Sequence, residues 1–222
     1  MSGVETSITD HPYMAGLEVW GTFTCAATVI KKSWAMTAAH CVRGNEGYGE
    51  IWLRVGTSDR EYAGWLVAVD KVVRHAEKRP NDIALLHTQT EFPIGDLVKV
   101  VTLPLSSNKV ENGTVGTILG WGKAGPGENS PPKLRKMEMI VDNYTWCVPG
   151  AGFDVTEPEA IICARPKTAG TDVCNGDSGG PLTYGDRQIG IISRASCTGA
   201  SQAVVLFTNV AYFRDWIDDE TK

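Results

Sequence analysis

The chain has 222 residues, 42% of them hydrophobic and 21% charged, and its 21 Lys and Arg against 26 Asp and Glu give a formal net charge of −5. This is apolar material enough for a sizeable core in one or two domains, and it excludes a disordered chain. The acidic balance, with no basic run to neutralise phosphates, argues against a nucleic-acid partner.

Short apolar runs recur along the sequence: Leu17–Trp20, Ala26–Ile30, Ile51–Val55, Trp65–Val69, Ile83–Leu86, Val98–Leu103, Val115–Leu119, Met137–Val141, Ile189–Ile192 and Val204–Thr208. They are rich in Val, Ile, Leu and Trp and are separated by turn residues such as Gly-Thr, Gly-Thr-Ser-Asp and Gly-Pro-Gly. That rhythm predicts an all-β sandwich or barrel. The polar stretch Pro104–Gly113 is the expected connection between two halves. A short helical turn is expected around Asp142–Cys147. A C-terminal helix is expected with Asn209 as its cap and Val210, Phe213, Trp216 and Ile217 on one face. The acidic segment Asp215–Lys222 reads as a solvated tail.

No run approaches the ~18 apolar residues of a transmembrane helix, so no membrane partner is expected, and no signal peptide is visible. Met1-Ser2 reads either as a native start or as an expression remnant. Six cysteines (Cys25, Cys41, Cys147, Cys163, Cys174 and Cys197) contain no CxxC pair. An oxidised, secreted, extracellular chain fits them better than a zinc site, and spacing alone does not choose their pairing. Asn112-Gly113-Thr114 and Asn143-Tyr144-Thr145 both satisfy the N-x-T rule, which chance also produces.

Three stretches carry chemistry. Asn175-Gly176-Asp177-Ser178-Gly179-Gly180-Pro181 holds a serine between glycines and beside a carboxylate. A serine hydroxyl is a poor nucleophile without a base, an orienting acid and donors for an oxyanion. Thr37-Ala38-Ala39-His40-Cys41 supplies a histidine after a strand-like run, and Asp82-Ile83-Ala84-Leu85-Leu86 an acid at the mouth of another. Alone, such a histidine is usually structural and such an aspartate a turn residue. Together, in the order His, Asp, Ser, they are much more specific.

With TAAHC (37–41), DIALL (82–86), GWG (120–122), GDSGGP (176–181) and the closing FTNVAYFRDWI (207–217), the sequence resembles the chymotrypsin-like (trypsin-like) serine proteases from Pro12 onward. The resemblance implies two antiparallel six-stranded β-barrels with a C-terminal helix. Residues 1–222 would form a single protease unit, with 15–105 as the first barrel carrying His40 and Asp82, and 106–222 as the second carrying Ser178. It implies a catalytic triad of His40, Asp82 and Ser178, with an oxyanion hole from the N–H groups of Gly176 and Ser178. It also implies disulfides Cys25–Cys41, Cys147–Cys163 and Cys174–Cys197. His11, His75 and His87 match no catalytic position. The implied partners are protein or peptide substrates and protein inhibitors. A monomer is expected, with no cofactor and no metal; the stretch Gly56–Glu61 is too short for the family's calcium loop.

Several positions depart from the family pattern. Active members begin Ile/Val-Val-Gly-Gly, and their first ammonium pairs with the acid before the serine, here Asp177. Counted back from Pro12 without gaps, Met1 falls at the second position and the first is missing. The expectation is therefore that Asp177 turns away and takes the Gly176 amide with it, a zymogen-like state. In the substrate pocket, Asp172 stands where an acid selects Arg or Lys. Ala195 and Val205 stand where open pockets have glycines, Val173 replaces a small polar residue, and Arg194 follows Ser193 in place of tryptophan. Arg/Lys and small aliphatic preference both remain open. Ala26-Ala27 stand where glycines are usual after Cys25, on the leaving-group side. The readings are thus a secreted serine endopeptidase, a non-catalytic homologue that binds a partner, or an all-β domain with an accidental triad.

Overall fold

The computed structural model describes residues 1–45, 50–75, 81–143, 157–195, 197 and 204–222. Six strands close the first barrel: β2 (Met14–Val19), β3 (Thr22–Lys31), β4 (Trp34–Thr37), β5 (Ile51–Val55), β6 (Trp65–Arg74) and β7 (Ala84–Thr88), in the order β2-β3-β4-β7-β6-β5. Six more close the second: β8 (Val115–Gly120), β9 (Arg135–Asp142), β10 (Ile161–Pro166), β11 (Pro181–Tyr184), β12 (Arg187–Ala195) and β13 (Val205–Asn209). Their order is β9-β10-β13-β12-β11-β8, closed by β8 on β9, and a short β1 (Val4–Glu5) pairs with β9. Every strand-to-strand register is antiparallel. The expected all-β, two-barrel architecture is present, and closure leaves neither barrel with a free edge for another chain to join.

Local sequence explains the strands. In β5, Ile51, Leu53 and Val55 are buried while Trp52 and Arg54 face outward, the period-two pattern of a sheet with one wet face. β2 is buried along its whole length, Glu18 included, because the Arg54 guanidinium pairs with that carboxylate at 2.7 Å. The β2–β3 hairpin turns on Trp20 (φ 53°) and Gly21 (φ 69°). Both central residues of such a tight turn need positive φ, which is unusual for a tryptophan. The Trp20 indole N–H donates to Asn45 Oδ1 at 3.0 Å.

Two expected elements come out differently. The apolar run Val98–Leu103 forms no strand. Val98 and Val101 are buried while Val100 is exposed, and the segment straps across both barrels. Val101 N–H donates to Val29 O of β3, and Thr102 O accepts from Gln188 N–H of β12, each at 2.9 Å. The C-terminal helix spans Arg214–Glu220 and begins later than Asn209. Asn209 Oδ1 instead accepts Ala211 N–H at 3.2 Å within a turn. The apolar face is as expected: Val210, Phe213 and Ile217 are buried, and Trp216 packs against the first barrel's core. The helical turn expected near 142–147 ends outside the described residues; Asp142 itself closes β9.

The disulfides Cys25–Cys41 and Cys174–Cys197 are formed. Cys163 is also disulfide-bonded, and its expected partner Cys147 lies outside the described residues. Between the barrels, buried Thr28 of β3 donates its hydroxyl to Gln188 Oε1 of β12 at 2.7 Å. Thr28→Val preserves volume but leaves that amide oxygen without its donor. We expect a loss of about 1–3 kcal/mol in urea-unfolding stability, as for other buried groups left unsatisfied.

Candidate active site

His40 lies in a single helical turn (Ala39–Cys41) that follows β4. Asp82 lies just before β7, the strand that pairs with β4. The carboxylate holds the histidine at two points: Oδ2 lies 2.7 Å from His40 Nδ1, and Oδ1 accepts the His40 main-chain N–H at 2.9 Å. Such a grip fixes which ring nitrogen carries the proton and leaves Nε2 to face the cleft. A third bond to this acid was not foreseen in the sequence, where Ser193 read only as a substrate contact. The Ser193 hydroxyl donates to Asp82 Oδ2 at 2.6 Å. Thr208 Oγ1 donates to Asp82 O at 2.9 Å. Burial works against ionisation of Asp82. The hydrogen bonds and charge of His40, with the Ser193 hydroxyl, outweigh it and hold the carboxyl below its ordinary range.

Ser178 reaches the same place from the second barrel. Its carbonyl accepts Ala26 N–H at 2.8 Å. Ala26 follows Cys25, whose disulfide partner Cys41 follows His40. Gly179 allows this approach, since a Cβ there would run into Ala26 O and Thr37 Oγ1, and its φ is +78°. His40 Nε2 lies 3.8 Å from Cys41 Sγ. Among the described residues it makes no direct hydrogen bond to Ser178 Oγ. Catalytic hydrogen bonds without substrate are commonly long.

The backbone beside Ser178 is ordered around Asp177. Among the described residues, the N–H groups of Asp177, Gly179 and Gly180 donate to Cys174 O, Ile192 O and Asp177 O, whereas those of Gly176 and Ser178 donate to no protein acceptor. Gly176 has φ +95°, a conformation that favours glycine. Among the described residues the two N–H groups left over thus stand on either side of Asp177, whose own N–H is used.

The zymogen-like geometry expected for Asp177 is not what forms. The Met1 ammonium lies 2.8 Å from Asp177 Oδ2, and both groups are fully buried. The same ammonium donates to Gly122 O at 2.8 Å and Lys123 O at 2.6 Å, so its three N–H bonds are all used. Asp177 also accepts Gly122 N–H at 2.8 Å and Cys174 N–H at 3.0 Å. Counting back without gaps placed Met1 one residue out of register; the flexible methionine side chain packs in the second barrel's core with Val173, Val205 and Phe207. Gly120 and Gly122 make the chamber, because a Cβ at either would collide with the Asp177 carboxylate. Burial nevertheless pushes the Asp177 carboxyl up, against the pull of the ammonium and the two N–H groups.

In the expected pocket, Asp172 is 3% exposed, and Val173 and Val205 are fully buried. Val205 pairs with Ala195 across β12 and β13. Arg194 and Ala195 are exposed. Ser2, which the sequence did not single out, binds the Asp172 backbone in both directions: Ser2 N–H donates to Asp172 O at 3.0 Å, and Asp172 N–H donates to Ser2 Oγ at 2.6 Å. The remaining histidines lie elsewhere. His11 contacts Tyr13, His75 packs edge-on against Phe213 and Trp216, and His87 bonds Asp70 at 2.6 Å. Two clusters of ligand-type atoms, Cys25/His40/Cys41 and Asp172/Cys174/Cys197, are built on disulfide sulfurs, which lack the thiolate that a metal needs.

Two closed barrels with these residues between them are the chymotrypsin fold. The family model described as Trypsin matches residues 1–217, and the chain belongs to the trypsin family of serine proteases. It is 28% identical to trypsin alpha-4 of Lucilia cuprina, over 98% of this chain and 85% of that protein. It is also 28% identical to a trypsin of Phaedon cochleariae, over 100% and 88%. Among solved structures it is similar to neuropsin, a serine protease of mouse brain, with TM-score 0.86 and 26% identity over 99% of each chain. The scabies mite inactivated protease paralogue S-D1 has the same fold, with TM-score 0.89 and 22% identity over 100% of this chain and 97% of that one.

Two substitutions test the arrangement. Asp177→Asn leaves the buried ammonium without its counter-charge. We expect about 3–5 kcal/mol of lost stability in denaturant titration, and a 10²–10³-fold loss of any peptide hydrolysis as the Gly176 donor moves. Ser193→Ala removes one bond that holds the Asp82 carboxyl low. A carboxyl depressed by folding stabilises above its unfolded value, about 3.9, and that contribution is lost as pH falls through the folded value. The variant should therefore be less stable than the parent at pH 7 and converge with it below about pH 4, with its acid-unfolding midpoint moved to higher pH.

Proposed function

We propose that the chain is a secreted serine endopeptidase that hydrolyses peptide bonds through an acyl-enzyme. Ser178 Oγ attacks the scissile carbonyl while His40 Nε2 takes its proton. Asp82 holds the other face of the ring and stabilises the imidazolium. The N–H groups of Gly176 and Ser178 receive the oxyanion. His40 then gives its proton to the leaving amine, and water releases the acyl group by the same steps in reverse. The observation that carries this reading is the doubly anchored His40, with Asp82 taking both its ring and its main-chain N–H at 2.7 and 2.9 Å. The N–H groups of Gly176 and Ser178, which meet no acceptor among the described residues, support it.

The residue before the scissile bond is a small aliphatic one. The burial of Asp172, with Val173 and Val205 buried as well, supports this over Arg or Lys, because a guanidinium needs an accessible carboxylate. The chain acts on proteins or peptides as a monomer. A second reading, a homologue that binds a partner without cleaving it, rests on the altered pocket, where Ala195 and the buried Val205 stand paired in place of glycines.

One set of measurements separates the two. A fluorophosphonate should label Ser178, and a peptide library should be cleaved after small aliphatic residues. Ser178→Ala should lower kcat/KM by roughly 10⁴-fold or more, a magnitude carried over from the family's triad. Folded protein with no adduct and no turnover would overturn the endopeptidase reading. For specificity, Val205→Gly should raise kcat/KM on Arg and Lys substrates; cleavage after Arg or Lys by the parent chain would overturn the small-aliphatic assignment.

A further inference from the structure

On the second barrel, the turn that opens β8 carries an exposed side chain that the chemistry above does not use. Glu111 O accepts Thr114 N–H at 3.1 Å, closing a four-residue turn. Its third residue, Gly113, has φ +84° and open space where a Cβ would stand. The turn is tied to the barrel on its inner side: Gly113 N–H donates to Val141 O at 2.8 Å, and Val141 N–H to Thr114 O at 2.9 Å. These bonds fix the turn against β9, and Asn112 is left exposed at its tip. The residues are Asn-Gly-Thr, the acceptor pattern for N-linked sugar.

We propose that Asn112 is an N-glycosylation site; this rests on the reading of the chain as a secreted protein. The donor is an oligosaccharide linked to a lipid pyrophosphate. The Asn112 amide nitrogen forms a bond to the sugar's C1 and loses one proton. The C1–oxygen bond to the pyrophosphate breaks, and the lipid pyrophosphate leaves with the electron pair. Sugar is attached as a chain enters the secretory pathway, so the attached asparagine must be one that the finished fold leaves in water. Asn112 meets that condition without strain, because the residue that follows it is a glycine already at positive φ. The neighbouring Val115 is 39% exposed and would lie under the sugar. β8 then runs from Val115 to Gly120, which stands against Asp177. At about 3.3 Å per residue the turn is roughly 17 Å along the strand from that chamber. The second sequon follows at Asn143, beside the same corner, and serves as the comparison; its Thr145 lies outside the described residues.

The test is expression behind a secretion signal in eukaryotic cells. Peptide mass spectrometry is applied to secreted and cell-retained protein before and after enzymatic sugar removal in ¹⁸O water. Asn112 should be recovered as ¹⁸O-labelled Asp in the parent and in Thr114→Ser. Asn112→Gln and Thr114→Ala should lose that sugar, while Asn143→Gln should keep it. Fluorophosphonate labelling of Ser178 should be the same in parent and Asn112→Gln. Unmodified Asn112 in the parent overturns the proposal, and so does sugar found at Asn143 alone. The Ser178 label reads the endopeptidase proposal separately, so either idea can fail while the other stands.

Discussion

A fully buried ammonium and a fully buried carboxylate meet at 2.8 Å between Met1 and Asp177, and the geometry around the serine depends on them. Removing two ions from water is expensive, and their attraction offsets it only when the remaining donors and acceptors are satisfied. Here they are. The ammonium has two carbonyls besides its counter-ion, and the carboxylate has two N–H groups besides the ammonium. The chamber exists because residues 120 and 122 have no side chains. With Asp177 turned inward, the adjoining backbone is bent so that, among the described residues, the Gly176 and Ser178 N–H groups meet no acceptor. The pair is therefore a constraint on backbone shape more than a source of net stability.

The same end of the chain reaches the substrate side. Ser2 is bonded to the Asp172 backbone, and Met1 packs in one cluster with Val173 and Val205. Occupying the ammonium site and shaping the floor of the expected pocket are one structural event, shared by two consecutive residues.

Much of this was legible in the sequence, for physical reasons that differ by element. His40, Asp82 and Ser178 stand in short stretches whose neighbours are themselves constrained: Gly179 by its contact with Ala26, and Gly120 and Gly122 by Asp177. Strands such as Ile51–Val55 declare themselves by alternation. The Val98–Leu103 run misled because an apolar segment bonded to two different barrels has the composition of a strand without its pairing. The helix start misled because Asn209 does cap a turn, only one that precedes the helix. Met1 was misplaced because a gapless count fixes spacing, whereas a buried ammonium is positioned by its acceptors. Ser193 was only half read, since a bond between residues 111 positions apart leaves no local pattern.

The two hydroxyls on Asp82 have a wider consequence. Asp82 belongs to the first barrel, yet Ser193 and Thr208, which hold its side chain and its carbonyl, belong to strands of the second. Sliding one barrel over the other by an ångström would break both bonds before it disturbed either barrel's own sheet. The ionisation of this carboxylate thus records how the two halves are seated. Any protein that wedges the cleft apart would take the Ser193 hydroxyl from the acid and raise its proton affinity, without touching the carboxylate.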